Sequence, residues 1–323
     1  MRQYSIIIPV YNRPNEIDEL LESLTHQTFK NFEVLVIEDG SKKKCDAIIE
    51  KYTDLLNISY YYKENSGQGF SRNFGFQKAK GDYLIVFDSD CLIPPHYLAE
   101  VEKVLDKQKF DAFGGPDRAH DSFTPLQKAI NYSMTSLFTT GGIRGRKKHV
   151  GTFHPRSFNM GISREVFEKT NGYIITRMGE DIEFSIRIIN HGFKTGLIEN
   201  AFVYHKRRTD LPAFFRQLHF FGRARINVKR FFSSELKLVH AFPAVFLIAL
   251  LGTFLVLPLI HLKLFKIALS IFILYFGSIF LDSSIKNRNL KVGLLSIATS
   301  FVQLSAYGLG FLQELGRDLT KRK

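Results

Sequence analysis

The chain has 323 residues, which gives room for one large domain or two ordinary ones. Its hydrophobic fraction of 45% supports a substantial core, and its two cysteines, Cys45 and Cys91, exclude a disulfide framework. The formal net charge of +13 suits either nucleic acid or an anionic membrane surface, so the position of the charges has to decide. No secretion signal precedes the apolar run that starts at Tyr4, so we expect the soluble part to stay in the cytosol.

Apolar runs and helical spacings alternate along the first part of the chain. The runs at residues 4–8, 32–37, 58–62 and 83–87 predict β-strands. Helices are predicted between them, the first with Asn15 as its N-cap. Its apolar side chains recur at the spacing of one buried face, at Ile17, Leu20, Leu21 and Leu24. Repeated βα units imply a mostly parallel sheet with right-handed crossovers, so the predicted fold class is α/β.

Acidic residues follow the predicted strands. Asp39 comes after the second strand, Asp88 and Asp90 come after the fourth, and Asp181 opens a helix much later in the chain. In open parallel sheets, ligands bind beyond the carboxyl ends of the strands. Mg²⁺ prefers oxygen ligands and usually takes one or two carboxylates plus substrate phosphates. The pattern therefore suggests a metal-assisted nucleotide site.

Each of these residues also has a plain structural explanation. Asp39 before Gly40 and the segment 88–90 can simply form turns, although a carboxylate at a strand end can also accept a hydrogen bond from a nucleobase N–H. Asp181 can complement the helix dipole or serve as a general base. His205 can be an ordinary surface histidine. Their joint occurrence, in this order on one α/β framework, favours the functional alternative.

Basic residues concentrate just before an uncharged segment. From His205 to Lys237, only Asp210 and Glu235 oppose nine basic residues, namely Lys206, Arg207, Arg208, Arg216, Arg223, Arg225, Lys229, Arg230 and Lys237. Positive charge beside a hydrophobic segment follows the positive-inside rule and suits anionic headgroups, so we expect membrane lipids rather than nucleic acid as partners. Apolar side chains at helical spacing over residues 211–221, with Asp210 as a cap, predict a helix lying on the bilayer; a helix packed on the sheet is the alternative.

Beyond residue 236 the chain becomes strongly apolar. Residues 238–262 and 292–313 contain no Asp, Glu, Lys or Arg, and their lengths of 25 and 22 residues suffice to span hydrocarbon. The run at 267–281 has 15 residues, short for a span unless flanking lysines reach the interface. We predict three transmembrane helices, at about 239–261, 264–281 and 292–313. Two spans, or a buried helical hairpin of a soluble domain, are the alternatives.

These features predict a catalytic domain at residues 1–236, with basic interfacial helices at about 205–236, and a transmembrane region at 237–323. We expect a multi-pass protein of a bacterial inner membrane with its catalytic domain in the cytosol. Three spans place the loop 282–291 inside and the tail 317–323 outside, against the preference of the basic residues in the tail. Two spans return the tail to the cytosol.

A series of short motifs lies between residues 4 and 230. In chain order they are Ser5-Ile6-Ile7-Ile8-Pro9-Val10-Tyr11-Asn12-Arg13, Gln27-Thr28-Phe29, Glu38-Asp39-Gly40-Ser41, Asn65-Ser66-Gly67, Ser71-Arg72-Asn73-Phe74-Gly75, Ala79-Lys80-Gly81-Asp82-Tyr83, Asp88-Ser89-Asp90, Gly179-Glu180-Asp181 and Val203-Tyr204-His205. In this combination the chain resembles the family 2 inverting glycosyltransferases of the GT-A fold. Its apolar C-terminal part resembles the membrane anchors of many bacterial members. The resemblance implies a Rossmann-like, mostly parallel sheet followed by an α-helical membrane anchor.

The resemblance also implies which residues bind the donor nucleotide. Asp39 would bind the uracil edge of a nucleoside diphosphate sugar, for which a UDP-sugar is favoured. Pro9, Val10 and Tyr11 would cradle the base, with Tyr11 as its stacking surface. Arg72 matches a position near the phosphates of the nucleotide.

Further residues receive roles in the chemistry by the same resemblance. Asp88 would lie near the ribose, and Asp90 would be the direct ligand of Mn²⁺ or Mg²⁺. His205 matches a position that coordinates the metal or the diphosphate in some members. Asp181 matches the catalytic base, which would take the proton of a glycan or lipid-linked acceptor as the anomeric configuration inverts.

The acceptor side is less clear from the sequence. We expect Asn159, Gly161 and Glu180 to line it. The basic segment 141–156 either closes over the diphosphate or a lipid-phosphate acceptor, or is a solvated loop. The chain departs from the family pattern at Glu38, where an aspartate is common, and at Cys91, where a further acidic residue is common. The second departure leaves the pair Asp88 and Asp90 intact but changes a residue beside the predicted metal site.

Other classes of function remain as alternatives. A nucleotidyltransferase would carry a Gly-rich loop with Arg or Lys directly after the first strand, where this chain has Pro9-Val10-Tyr11-Asn12. A retaining transferase fits less well, because Glu180-Asp181 matches the inverting pattern. A non-catalytic membrane scaffold that keeps the fold would not need Asp39, Asp88, Asp90 and Asp181 together. The oligomeric state, the sugar and the linkage are not encoded in any feature described above.

Overall fold

The computed structural model describes residues 1–140 and 153–320. The chain folds into two compact units, one of Met1–His120 and Lys147–Lys206, the other of Asp121–Arg146 and Arg207–Lys323. The boundary predicted at residue 236 does not coincide with these units, because residues 207–236 belong with the C-terminal helices. The division into a catalytic domain before residue 236 and a transmembrane region after it stays a prediction. Most of the basic segment 141–156 lies outside the described residues.

A seven-stranded sheet forms the centre of the first unit. The described strands are β1 (Tyr4–Val10), β2 (Phe32–Asp39), β3 (Ile58–Lys63), β4 (Tyr83–Phe87), β5 (Cys91–Leu92), β6 (Ala112–Gly114), β7 (Asp117–Arg118), β8 (Asn159–Ser163), β9 (Thr195–Leu197) and β10 (Val203–His205). The large sheet has the order β3-β2-β1-β4-β8-β6-β9, and β5, β10 and β7 form a small one. Strands β1 to β4 run parallel, whereas β8 is antiparallel to both neighbours. The predicted α/β class is confirmed.

Helices connect the strands and continue beyond them. In chain order they are α1 (Pro14–Thr25), α2 (Asp46–Glu50), α3 (Gln68–Lys78), α4 (Tyr97–Lys107), α5 (Pro125–Thr135), α6 (Leu137–Thr140), α7 (Arg164–Thr170), α8 (Glu180–Asn190), α9 (Leu211–Phe231), α10 (Phe242–Leu251), α11 (Leu257–Ile260), α12 (Leu262–Asn287) and α13 (Leu290–Thr320). A π-helical segment, Gly252–Val256, makes α10 continuous with α11.

Both faces of the large sheet are covered. Successive side chains of a strand point to opposite faces, so Ile6 and Ile8 enter one layer with Leu21 of α1, and Ile7 enters the other with Phe76 of α3. All five side chains are completely buried. Burying an aliphatic or aromatic side chain of this size contributes roughly 1.5–3 kcal/mol, so these two layers fix the strands that carry the site.

The helix after β1 begins two residues earlier than predicted. Pro14, rather than a residue after an Asn15 cap, is the first helical residue, and Arg13 holds the N-cap position. Proline suits this position because its missing N–H is not needed there and its φ is already helical. Asn12 has a left-handed backbone, with φ of 54°, and its side chain accepts hydrogen bonds from the Lys42 and Lys43 N–H groups at 2.8 and 3.1 Å. The loop after β1 is thus bound to the loop after β2.

Helix α9 lies within the second unit. Its predicted cap is present, since the Asp210 carboxylate accepts a hydrogen bond from the Ala213 N–H at 2.7 Å. Its buried residues Phe214 and Leu218 pack with Ile130 of α5 and Ala306 of α13. The apolar face of α9 is therefore covered by helices of its own unit.

Among the described residues, three helices of the second unit are long and apolar enough to cross a membrane: Leu238–Ile260, Leu262–Asn287 and Leu290–Thr320. They cover the three predicted segments. The last one extends seven residues past the predicted end at 313, and it differs from the others in its surroundings. Half of its apolar segment is buried inside the protein, compared with 17% and 6% for the first two.

Candidate active site

Asp39 ends β2 directly opposite Lys63 of β3. One of its carboxylate oxygens accepts from Lys63 Nζ at 2.7 Å and from the Ser66 N–H at 2.9 Å, and the other accepts from the Gly67 N–H at 2.9 Å. Burial alone would raise the pKa of Asp39, but these donors hold the pKa below its usual range. Asp39 is therefore a buried, ionised carboxylate already bound to three donors.

Lys63 is a site residue that the sequence reasoning missed. Its ammonium group is shared among Asp39, the Glu64 carbonyl oxygen and the Ser66 hydroxyl, the last two at 2.6 Å each. Its position two residues before the motif Asn65-Ser66-Gly67 was the signal that could have identified it in the sequence. Its pairing with Asp39 was not predictable in this way, because it depends on the register of β2 with β3. The lysine brings a positive donor to the rim of the sheet next to a negative acceptor.

The loop after β1 lies beside Asp39. Pro9 and Val10 pair in register with Ile37 and Glu38 of β2. The next residue, Tyr11, is 52% exposed, so its ring is free to receive a planar ligand. The three residues predicted to cradle the base are thus placed at the carboxyl end of the sheet, next to the end of β2.

Glu38, one of the two departures from the family pattern, has a structural role. Its side chain is completely buried, and one oxygen accepts from the Cys45 N–H, the Cys45 thiol and the Tyr60 hydroxyl at 2.7, 2.9 and 3.0 Å. Burial and this carboxylate raise the pKa of both Cys45 and Tyr60. Glu38 thereby fastens the start of α2 to β3, while the adjacent Asp39 faces the rim.

Arg72 of α3 joins two carboxylates from different parts of the chain. It is 1% exposed, and its guanidinium donates to Asp88 at 2.9 Å and to Glu180 at 3.4 Å. Gln68, one turn earlier on α3, also donates to Glu180. Burial and the neighbouring Asp181 raise the pKa of Glu180, and Arg72 opposes that rise. The predicted positions Arg72, Asp88 and Glu180 are therefore brought together in one cluster, in which Arg72 and Glu180 are buried and Asp88 is partly exposed.

Asp181 follows Glu180 in the first turn of α8. Gly179, with φ of 99°, precedes the helix in a left-handed conformation that favours glycine. One oxygen of Asp181 accepts from the Ile182 N–H at 2.9 Å, and the other lies 3.3 Å from Arg156 Nη1. The two neighbouring carboxylates thus have different partners: Glu180 contacts buried Arg72, and Asp181 contacts the more exposed Arg156.

Asp90 and His205 meet at the small sheet, where β10 pairs with β5. His205 Nε2 lies 3.0 Å from one oxygen of Asp90, and Arg13 Nη1 lies 2.5 Å from the other. Although burial alone would raise the pKa of Asp90, His205 and Arg13 hold it far below its usual range. The His205 ring also stacks on Phe158, with 5.2 Å between ring centroids. Arg13, missed as a site residue in the sequence, belongs to the motif that follows β1.

The donor atoms of Asp90 and His205 fit a divalent cation. Together with the Cys91 sulfur, their ligand atoms all lie within 4.8 Å of one another. A carboxylate is the ligand that Mg²⁺ and Mn²⁺ prefer, and neutral imidazole is a common metal ligand. Cys91 occupies the position where the family pattern commonly has a further acidic residue. Burial raises the pKa of its thiol well above the usual value, so Cys91 adds no negative charge there.

Two residues predicted on the acceptor side lie in the protein interior. Asn159 is completely buried; its side chain accepts from the Tyr97 hydroxyl at 2.5 Å and donates to the Ala201 carbonyl at 2.8 Å. A Cβ on Gly161 would come within 2.1 Å of the Phe113 ring. Both belong to β8, which is inserted into the large sheet, and their packing argues against direct contact with an acceptor. We therefore correct that expectation for these two residues. Glu180 is also buried, at 4% exposure, but it opens α8 next to Asp181, and its place on the acceptor side stays a prediction.

The family follows from the sequence profile. The profile of glycosyl transferase family 2 matches residues 5–170, just over half of the chain. The chain belongs to this family. The match includes Asp39, Arg72, Asp88 and Asp90, whereas the placement of residues beyond 170, such as Asp181, rests on the contacts described above.

Curated relatives of this family 2 protein align over short stretches. An uncharacterized glycosyltransferase of Rickettsia typhi is 42% identical over 103 residues, 32% of each chain. The poly(ribitol-phosphate) beta-N-acetylglucosaminyltransferase TarS of Staphylococcus aureus is 35% identical over 115 residues, 34% of this chain and 20% of TarS. The alignments therefore span about a third or less of these relatives.

Solved structures share the fold over nearly the whole chain. The mannosyltransferase PcManGT of Pyrobaculum calidifontis, in complex with GDP-Man and Mn²⁺, superposes with a TM-score of 0.61 at 15% identity, covering 97% of this chain and 87% of PcManGT. Residues 1–349 of TarS, in complex with UDP-GlcNAc, give a TM-score of 0.50 at 16% identity, covering 98% and 92%. At such low identity the likeness concerns the fold alone, and it confirms the predicted GT-A fold.

Replacing Arg72 with methionine should destabilise this family 2 protein strongly. The variant keeps most of the side-chain volume but leaves Glu180 buried without its cation, a loss that typically costs about 3–5 kcal/mol. The midpoint of thermal unfolding of the full chain in detergent measures the effect. Lys78→Met, on an exposed position of the same helix, is the matched control and should change stability by less than about 0.5 kcal/mol. Equal midpoints for the two variants would show that the buried guanidinium does not hold the site together.

Proposed function

We propose that the protein transfers a sugar from a nucleoside diphosphate sugar to a glycan or lipid-linked acceptor, with inversion at the anomeric carbon. The observation that carries the proposal is the Arg72 cluster, which joins Asp88 and Glu180 and thereby gathers their neighbours Asp90 and Asp181 at one rim of the sheet. Membership of family 2 supports sugar transfer. The two acidic groups then divide the chemistry between leaving group and acceptor.

We assign Asp39 and Lys63 to recognise, as a pair, the base of the donor nucleotide. The carboxylate is an acceptor, and the ammonium group would donate to the base in place of one of its three present hydrogen bonds; the two groups lie 2.7 Å apart at the ends of adjacent strands. Uracil offers a complementary edge, because its N3–H can donate to Asp39 while a flanking carbonyl oxygen accepts from Lys63; cytosine would need the two partners exchanged, since its N3 accepts and its N4–H donates. Guanine likewise presents N1–H beside O6. The pair therefore favours UDP- or GDP-sugars over CDP-sugars, and we favour UDP; Tyr11, Pro9 and Val10 would hold the base from its other sides.

Asp90 and His205 would hold a divalent cation, Mn²⁺ or Mg²⁺, at the diphosphate. When bound, the cation supplies positive charge that neutralises the negative charge developing on the leaving diphosphate. Arg13 lies at the opposite oxygen of Asp90, and we assign it to orient that carboxylate, so that the oxygen facing His205 is the one offered to the cation. Asp88, held by Arg72, is placed to accept from a ribose hydroxyl.

Asp181 is the candidate general base. As the acceptor hydroxyl oxygen attacks the anomeric carbon, its proton passes to an Asp181 oxygen and the diphosphate leaves with the bonding electrons from the opposite face. General-base assistance of this kind typically contributes about 10²–10⁴-fold. Arg156 would have to release the oxygen it contacts at 3.3 Å, and an acceptor that carries a phosphate would give its guanidinium another partner.

The membrane is the proposed location of the acceptor. Apolar helices long enough to span a bilayer and a basic segment immediately before them support membrane association. The basic residues before these helices support, by the positive-inside rule, a cytosolic position for residues 1–236 at a bacterial inner membrane, where nucleoside diphosphate sugars are made. This location fits a lipid-linked acceptor.

Asp181→Asn should lower the rate of sugar transfer by at least about 100-fold, because the amide cannot take the proton. Binding of UDP should stay unchanged, since the base touches the acceptor rather than the donor. Transfer in membranes and calorimetric binding of UDP separate the two effects. Asp46→Asn is the matched control, because Asp46 also opens a helix and accepts from the following N–H, at 3.0 Å. Wild-type turnover in Asp181→Asn would remove this residue from the role of base.

Removal of divalent metal with EDTA should stop transfer, and Mn²⁺ or Mg²⁺ should restore it. Asp90→Ala should abolish the increase in UDP affinity that Mn²⁺ gives the wild type, while leaving affinity in EDTA nearly unchanged. Titrations of UDP with and without Mn²⁺ measure both. Asp54→Ala, at an exposed carboxylate, is the control. A transfer rate that EDTA leaves intact would contradict the metal role of Asp90 and His205.

Lys63→Met should weaken UDP binding by about tenfold, because a hydrogen bond to a charged group contributes roughly 1.5–3 kcal/mol. The preference for UDP over CDP should shrink with it. Asp39 keeps two backbone donors in this variant, so the rim should remain folded. Lys42→Met, an exposed lysine in the neighbouring loop, controls for the loss of one charge. An unchanged ratio of UDP to CDP affinity would show that Lys63 does not read the base.

A further inference from the structure

The first two apolar helices pair as an antiparallel hairpin. We name Leu238–Ile260 the first arm and α12 the second arm; His261 alone separates them. The rings of Phe254 and Phe265 lie 6.2 Å apart near this turn, and those of Phe246 and Phe276 lie 6.3 Å apart farther from it. We call the part of the hairpin remote from His261 its base.

The part of the hairpin near the turn exposes its apolar side chains. Leu255 and Leu259 of the first arm are 64% and 84% exposed, and Ile267 and Leu274 of the second are 50% and 71% exposed. With 23 residues at 1.5 Å each, the first arm is about 34 Å long, enough for a hydrocarbon core of about 30 Å. The hairpin therefore has the length and the surface of two membrane spans.

Helix α13 crosses the base of this hairpin. Gly293 packs against Phe280 and Ser284 of the second arm, where a Cβ would come within 1.9 Å of the Ser284 hydroxyl. Farther along, Gly308 packs against Pro243, at the start of the first arm, where a Cβ would come within 2.4 Å of the carbonyl oxygen. Pro243 and Ser284 both lie at ends of the arms far from His261. Helix α13 thus passes from one arm to the other at the base.

Ion pairs hold the far end of α13 to α9. Glu314 pairs with Arg223 and Arg230 at 3.0 and 2.9 Å, and Asp318 pairs with Arg230 and Lys229 at 3.1 and 3.6 Å. Both acidic side chains are buried in these contacts. Helix α9 precedes the first arm, so it lies on the side from which that arm enters the membrane. The end of α13 lies on that same side.

The beginning of α13 is on that side as well, because it directly follows the second arm at the base. A helix with both ends on one side does not span. Its outward face is nevertheless apolar, with Leu294, Phe301 and Leu309 at 63%, 41% and 46% exposure, while Ser296 and Thr299 face the protein and are completely buried. Helix α13 therefore offers an apolar stripe at the level of the hairpin base.

We propose that the two arms alone span the bilayer, and that α13 lies in its cytosolic interface with the stripe Leu294, Phe301 and Leu309 against the lipid. The chain then returns to the cytosol, and the tail predicted outside by a three-span topology lies inside. The occupant of the stripe is the boundary between headgroups and acyl chains, because the stripe is continuous with the exposed hairpin and flanked by the basic residues of α9. The proposal rests on the membrane association proposed above.

Depth measurements along α13 test the proposal. The chain contains no tryptophan, so Leu294→Trp, Phe301→Trp and Leu309→Trp each report alone. In vesicles of anionic phospholipid with lipids brominated at different depths, we expect all three to be quenched equally and most strongly by shallow bromines. Leu255→Trp, in the first arm, should be quenched most by deep bromines. In a spanning α13 the 15 residues from 294 to 309 would differ in depth by about 22 Å.

A deep position for Phe301→Trp with shallower neighbours would overturn the proposal in favour of three spans. The absence of quenching along the stripe would overturn it in favour of another occupant, such as a second copy. The absence of quenching at Leu255→Trp would overturn membrane association itself, and sugar transfer by the same preparation shows whether the catalytic proposal still holds.

Labelling of cysteine variants in intact bacteria is an independent test, which stays informative even where a tryptophan variant folds poorly. We expect an impermeant maleimide to label Lys263→Cys, beside the turn, and to label Thr320→Cys only after the membrane is opened. The native Cys45 and Cys91 are buried, and wild-type protein serves as the blank. Labelling of Thr320→Cys in intact cells to the level of Lys263→Cys would place the tail outside and refute the proposal.

Discussion

A single buried guanidinium underlies the geometry of the site. Arg72 has almost no contact with solvent, and taking a cation out of water is costly unless anions meet it. The anions come from Asp88, at the end of β4, and Glu180, at the start of α8, which are far apart in the chain. Glu180 is adjacent to Asp181, the candidate general base. Asp88 is two residues before Asp90, the candidate metal ligand. The positions of Asp90 and Asp181 therefore depend on a charge balance that is centred on Arg72, and Asp181 contributes to it by raising the pKa of Glu180.

Much of the catalytic fold follows from local sequence patterns. Strands β1 to β4 have strong apolar runs, and parallel strands necessarily bring their carboxyl ends to one edge, so the amino-acid sequence alone places Asp39, Asp88 and Asp90 together. The contacts of these residues are not predictable in the same way. Arg13 meets Asp90 across 77 residues, and Lys63 meets Asp39 only because β2 and β3 adopt one particular register. No short-range pattern specifies such pairs.

Asn159 and Gly161 show the opposite limitation. From the sequence, both residues were expected to line the acceptor side. In the structure they form β8, an antiparallel strand between β4 and β6, where the ring of Phe113 needs the space that a side chain at 161 would fill. Position 161 must be small because the ring of Phe113, which is distant in sequence, packs against it. Composition likewise identified the apolar helices but not the direction of α13, which depends on Glu314 and Asp318 meeting α9.

The one-residue turn at His261 bears on how the protein could enter a membrane during synthesis. If the two arms span the bilayer as proposed, insertion carries no folded domain across, only His261 and the nearby Lys263 and Lys266. A lysine at the bilayer centre costs about 2.5–3.5 kcal/mol on a biological insertion scale, and each Leu, Ile, Phe or Val gains about 0.3–0.6 kcal/mol. If one arm entered alone, its insertion free energy would have to offset the cost of moving both lysines through the bilayer. Two arms that enter together both contribute to offsetting that cost. Biogenesis should therefore be cooperative, with both arms leaving the ribosome before either crosses the membrane.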